Sequence, residues 1–180
     1  MHDQPRYKPL AKSTFFDDQQ RSARPRVPGT VARGHLPGDG TLETGKVGAG
    51  FAAAVPMPID LPLLKRGQDR YGIHCAPCHG HVGRGDGMIV RRGYRQPPSF
   101  HIDRLRAQPA GYLFDVITVG FGAMPDYATQ VSVGDRWAIV AYVRALQLSQ
   151  NATVADVPAE RRGELGGAPP APAAPGAHTP

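Results

Sequence analysis

The chain's two cysteines fall within one five-residue stretch, Cys75-Ala76-Pro77-Cys78-His79. Two thiols three positions apart near a helix end can add to the two vinyl groups of one haem. The adjacent histidine then presents its imidazole to the iron from the same side. Other chemistries use the same residue types. A redox CxxC of the thioredoxin kind sits between a strand and a helix, and no such strands are evident. A structural zinc site needs four ligands. His74, Cys75, Cys78, His79 and His81 crowd together, too tightly for two separated pairs, and no second pair exists. With two cysteines in one motif there is no disulfide framework. The expectation is one covalent c-type haem on Cys75 and Cys78, with His79 as an iron ligand.

A low-spin haem takes a second axial ligand, Met or His. The methionines are Met1, Met57, Met88 and Met124. Met1 is terminal, Met57 precedes the core, and Met88 lies in a Gly-rich loop close behind His79. Met124 stands in Gly120-Phe121-Gly122-Ala123-Met124-Pro125. Glycines there let the backbone approach a flat macrocycle, and Pro125 stiffens the loop. Met124 is the expected ligand, with Met88, His81 and His101 as the alternatives. Phe100, Phe121 and Tyr127 are candidate pocket walls. Arg84, Arg91, Arg92, Arg95 and Arg104 read either as a docking rim and propionate partners or as a solvated face.

These residues need helices to hold them. Leu63, Leu64, Gln68, Tyr71 and Cys75 read as a helix begun near Pro62. Pro109 suits a helix first turn, followed by Tyr112, Leu113, Val116 and Ile117 at helical spacing. Gly120 and Gly122 end it. Ser132 and Asp135 form a weaker capping box. Ile139, Tyr142, Val143 and Leu146 then recur at i, i+3, i+4 and i+7 behind Trp137.

The flanks differ. The 180 residues include 22 glycines and 19 prolines, about twice the usual share. Residues 1–60 show no sustained period. They read as an extended arm packing on partner subunits, with a disordered leader as the competing reading. The arm is favoured because Phe15, Phe16, Phe51 and Met57 are large for a linker. Residues 61–150 form the folded domain, and residues 151–180 a Pro/Ala-rich disordered tail. No run of 18 apolar residues exists to span a membrane, and the N-terminus does not read as a signal peptide. Net charge is +6, with most of the excess in residues 61–150. Clustered Lys/Arg runs interleaved with aromatics are absent, so nucleic acid is not an expected partner.

The core resembles the class I cytochromes c. Gly67, Tyr71, Cys75, Cys78 and His79 match the family's first helix and haem motif, Met124-Pro125 its distal loop, and Trp137 to Leu146 its last helix. The resemblance implies an all-α fold in which Gly67 or Tyr71 meets Trp137 or Tyr142. It also implies a proline carbonyl accepting the ligand histidine's Nδ1–H, here from Pro97 or Pro98. A closer likeness lies in DQPRYKPL, SARPRVPGTVARG, PPSFH, GAMPDY and DRWAIVAYVRALQ. These segments are similar to the mono-haem cytochrome c subunit of bacterial alternative complex III. That likeness implies one-electron transfer without catalytic residues, within a quinol-oxidising respiratory complex. The implied partners are multihaem and integral membrane subunits, with a terminal oxidase downstream. The implied location is the periplasmic side of the bacterial inner membrane, peripheral or lipid-anchored. The rival readings are a free periplasmic cytochrome, a haem that binds ligands, and a purely structural subunit.

Overall fold

The computed structural model describes residues 4–8, 11–17, 22–24, 27, 30 and 40–166. The chain divides into two compact units, 1–38 and 39–180. In the first, Phe15 and Phe16 meet edge to face with centroids 4.9 Å apart. The Arg24 guanidinium lies 4.0 Å over the Phe16 ring, a cation–π contact. Phe15 and Tyr7 are exposed.

In the second unit, α1 (Thr41–Thr44) leads into a hairpin of β1 (Lys46–Val47) and β2 (Gly50–Phe51), with Lys46 opposite Phe51. There follow α2 (Leu61–His74), α3 (Ala76–His79), α4 (Met88–Arg91), α5 (Asp103–Arg106), α6 (Ala110–Val119) and α7 (Val133–Asn151). The architecture is all-α but for the hairpin, the class I cytochrome c arrangement. Two 3₁₀ segments, Val154–Asp156 and Ala159–Gly166, follow α7. The tail is therefore not wholly irregular, and its Pro/Ala-rich end lies outside the described residues.

Local chemistry sets the helix ends. The Asp60 carboxylate accepts the Leu63 N–H at 2.8 Å, satisfying a first-turn donor, and Pro62 occupies that turn without losing a helical bond. Ser132 accepts the Asp135 N–H at 3.2 Å at the start of α7.

Helices α2 and α7 cross at Gly67. A β-carbon there would lie 2.0 Å from the Ala138 carbonyl oxygen and 2.9 Å from the Tyr142 β-carbon. Tyr71 continues the contact, its ring 5.4 Å from that of Tyr142. Arg66 closes the crossing with two bonds to the Asp135 carboxylate, at 2.6 and 2.9 Å. Trp137 takes no part in this contact, contrary to one of the expected pairings. It sits one residue before Ala138, about 100° round the helix, and so faces α6. Its ring stacks on Phe114 at 4.3 Å, and its indole N–H donates to the Leu42 carbonyl at 2.6 Å.

That last bond bears on the arm. Within the second unit, residues 40–60 pack on the helices. The first N–H groups of α6 have no intrahelical acceptor. Ala110 and Gly111 donate instead to the carbonyls of Ala53 and Ala52, at 3.3 and 2.8 Å. Ala52 is buried, and Phe51 meets Tyr112 edge to face at 5.6 Å. The helical unit thus begins some twenty residues earlier than the sequence pattern suggests.

Candidate haem site

The CxxCH motif is the single turn α3, bonded back onto the end of α2. Cys75 accepts from the N–H of Cys78 at 3.1 Å and of His79 at 2.9 Å. The buried Tyr71 hydroxyl donates to the Gly80 carbonyl at 2.6 Å. The Gly-rich loop folds over this turn, with Gly85 donating to the His79 carbonyl at 2.8 Å and Gly87 to the Cys78 carbonyl at 3.1 Å. Phe100 lies on the His79 ring, with centroids 4.6 Å apart and planes 21° apart. Gly83 makes room for it, since a β-carbon there would sit 2.6 Å from the Phe100 ring. Gly83 also has φ of 76°, which side chains other than glycine's disfavour.

The motif opens onto a cavity of about 500 Å³. Cys75, Cys78, His79 and Met124 all line it, as do Tyr71, Pro97, Pro98, Phe100, Phe121 and Tyr127. Met124 is held in position by reciprocal backbone bonds with Phe121, both 3.0 Å. Met88 and His81 are not part of the lining. His101 is not either, and its Nε2 pairs with the Val82 carbonyl at 2.7 Å. Phe121, 67% exposed, forms the lip of the cavity and not an enclosed wall.

Burial decides the protonation states. It pushes the His79 imidazole down to about 4, so the ring is neutral near pH 7, the form that ligates a metal. It pushes the Cys75 thiol up to about 12. His79 Nδ1 is buried with no hydrogen-bond partner, and His79 lines the cavity. The proline carbonyl expected at Nδ1 is not bonded there. The Pro97 carbonyl instead packs against Gly85, where a β-carbon would lie 2.2 Å from it. Among the described residues no three His, Cys, Asp or Glu side chains converge as metal ligands, so the zinc reading lacks its ligand set. A haem fits: two thiols, an imidazole and a thioether share a largely apolar wall that contains no carboxylate.

Sequence reasoning missed much of that wall. Ile89 and Tyr94 come from the irregular stretch around α4. Leu113, Val116 and Ile117 of α6, and Ile139 and Val143 of α7, stand at helical spacing in the sequence. Their periodicity announces a buried face but not what that face covers.

Residues 62–143 match the family model described as Cytochrome C oxidase, cbb3-type, subunit III. A search of the curated proteins finds no match. Among solved structures, the fold is similar to a chain of the Kuenenia stuttgartiensis reducing HAO-like protein complex. That likeness has 23% identity and a TM-score of 0.46, covering 59% of this chain and 53% of the other. It is also similar to cytochrome CL from the marine methylotrophic bacterium Methylophaga aminisulfidivorans, with 20% identity and a TM-score of 0.40. There 58% of this chain and 66% of the other are covered. The chain thus spans about half to two thirds of the length of these neighbours. Taken with a CxxCH turn that opens into an apolar cavity, the family match marks residues 62–143 as similar to a cytochrome c domain, the kind of domain that binds a c-type haem covalently.

Proposed function

We propose that the chain is a one-electron carrier subunit of a quinol-oxidising respiratory complex, passing electrons toward a terminal oxidase through a single haem. The observation that carries the carrier reading is that His79 and Met124 line the same cavity as both thiols. When bound, the haem supplies an iron that exchanges one electron between its ferric and ferrous states. The protein's part is to hold its surroundings constant. Cys75 and Cys78 would hold the haem covalently, His79 and Met124 would ligate its iron, and Ile139, Val140 and Val143 would keep water from it. A thioether ligand and an apolar wall both favour the ferrous state. Were His79 and Met124 both to ligate the iron, little would need to move with the electron and no coordination site would be open to a substrate.

The assignment to a complex rests on the segments similar to the alternative complex III subunit, which span most of residues 1–148. Residues 1–38, a unit separate from the helical one, suit an arm that lies along other subunits. The partners proposed are multihaem and integral membrane subunits, on the periplasmic face of the inner membrane. Attachment there is proposed as peripheral or by lipid; among the described residues no helix is long and apolar enough to cross a membrane.

The test is a pyridine haemochrome assay with oxidised and reduced absorption spectra of the purified chain. Covalent haem with the far-red band of sulfur-to-iron ligation is expected. Absence of covalent haem would sink the carrier reading, and a high-spin spectrum would replace it with ligand binding. Co-purification with membrane subunits tests the assignment to a complex.

A further inference from the structure

We infer that Phe100 is the positioning residue for His79: its stacked ring, and not a hydrogen-bond acceptor, sets the plane of the imidazole and shields Nδ1 from water. This inference rests on the reading of His79 as an iron ligand and adds to it the group that orients the ring.

A ligand histidine ordinarily has its plane fixed by an acceptor for the proton on its second ring nitrogen. Among the described residues no group bonds His79 Nδ1, although that atom is buried. What meets the imidazole is an aromatic face. The Phe100 and His79 rings lie 4.6 Å apart with planes 21° apart, nearly parallel and within the contact range of aromatic pairs. Turning the imidazole out of that plane would drive its edge into the phenyl face, and close packing leaves no slack for it. The stack therefore resists rotation as an acceptor would. It differs in leaving the ring proton unshared. An imidazole that ligates iron through Nε2 and shares no proton at Nδ1 is the weaker donor, which favours the ferrous state.

Phe100 can fix another ring only if it is fixed itself. Gly83 seats it, since a β-carbon there would come within 2.6 Å of the phenyl ring. The Gly83 carbonyl also accepts the Phe100 N–H at 2.9 Å. Tyr71, from α2, meets the phenyl ring edge to face at 6.3 Å. Gln147, from α7, donates to the Phe100 carbonyl at 2.9 Å. Contacts from α2, α7 and the Gly-rich loop thus converge on the one side chain that touches the imidazole face, the arrangement that holds a site residue to a single geometry.

The haem-loaded full chain provides the test. Its readouts are the NMR shifts of the haem methyl groups in the oxidised protein and the midpoint potential. The methyl shifts follow the plane of the axial imidazole, so their order reports its rotation whatever the stability of a variant. Phe100→Leu should reorder the methyl resonances and lower the midpoint, as water reaches Nδ1 and shares its proton. Phe100→Tyr keeps the stacked face and should keep both.

Should Phe100→Leu fail to load haem, the unmodified reduced protein still decides. Its Phe100 and His79 rings must show nuclear Overhauser contacts, and the His79 Nδ1–H must resonate upfield of hydrogen-bonded imidazole protons. The inference is overturned by a Phe100→Leu variant that loses stability yet keeps the methyl order and the midpoint, which would make Phe100 an apolar filler. It is also overturned by a His79 Nδ1–H in the hydrogen-bonded range, which would mean that an acceptor fixes the ring. Failure of the ligand reading itself appears separately, as missing covalent haem or a high-spin spectrum in the unmodified chain.

Discussion

The Gly67 α-carbon faces the Ala138 carbonyl so closely that one added methyl group would come within 2.0 Å of its oxygen. Helix propensity alone favours alanine over glycine there by about 1 kcal/mol. The clash reverses the sign, because both partners are main chain and neither can swing aside. Gly67→Ala is expected to destabilise the haem-loaded protein by about 1–3 kcal/mol, read from denaturant unfolding. An unchanged or raised midpoint would show that the two helices do not cross at this distance.

Met124 shares the cavity wall with His79, and its replacement separates ligand from filler. Met124→Ala is expected to abolish the far-red sulfur-to-iron band and to lower the midpoint potential by on the order of 100 mV, since the thioether favours ferrous iron. Met88→Leu, at a residue outside the cavity and 55% exposed, should change neither. If Met88→Leu loses the band, the ligand assignment is wrong.

The Arg66 bonds hold the Asp135 carboxyl below its ordinary range. The folded chain therefore binds fewer protons than the unfolded chain in that window, and stability rises with pH across it. The contribution is complete above the ordinary carboxylate range and is lost as pH falls through the depressed value. Arg66 is about half exposed and solvent screens the pair from that side, so Asp135→Asn should cost at most about 1 kcal/mol near pH 7. The difference from wild type should vanish in strong acid. Unfolding curves at several pH values check this, and a penalty that persists in acid would point to the Ser132 cap instead of the ion pair.

Gln147 lies two contacts away from His79, through Phe100. It is buried, donates to the Phe100 carbonyl at 2.9 Å, and accepts from Arg144 at 2.8 Å. Arg144 also reaches the carbonyls of Arg106 and Gln108. Gln147→Leu strands a carbonyl and part of a guanidinium, at a cost of about 1–3 kcal/mol. Phe100 lies on the His79 ring, so the far-red band of the oxidised protein should also weaken or shift at lower temperature than in wild type. A band that melts together with the helices, as in wild type, would restrict Gln147 to a structural role.

What the sequence made legible is what it encodes locally. The CxxCH turn, the Met124 loop, the Ser132 cap and the stripe from Ile139 to Leu146 depend on neighbours a few residues away. The facing of Trp137 does not, because it depends on which helix lies alongside. Nor do the Ala52 and Ala53 carbonyls that complete the start of α6, since a main-chain acceptor leaves no mark in residue type. Nor do the bonds from Gln147 and Arg144 to carbonyls of residues 100, 106 and 108, which no local pattern announces. Pro97 and Pro98 both line the cavity, and the close approach of Gly85 to the Pro97 carbonyl depends on a segment far off in the chain that residue types alone do not announce.

The hairpin and the stretch behind it alter where this domain could be cut out or transplanted. A piece begun at Leu61, at the edge of the family match, would leave the Trp137 indole N–H without the Leu42 carbonyl and the first turn of α6 without its acceptors. It would also bare the surface that Phe51 and Ala52 cover. The smallest autonomous module therefore begins near residue 40, and grafts that borrow only the recognisable haem-binding segment would inherit an unfinished seam.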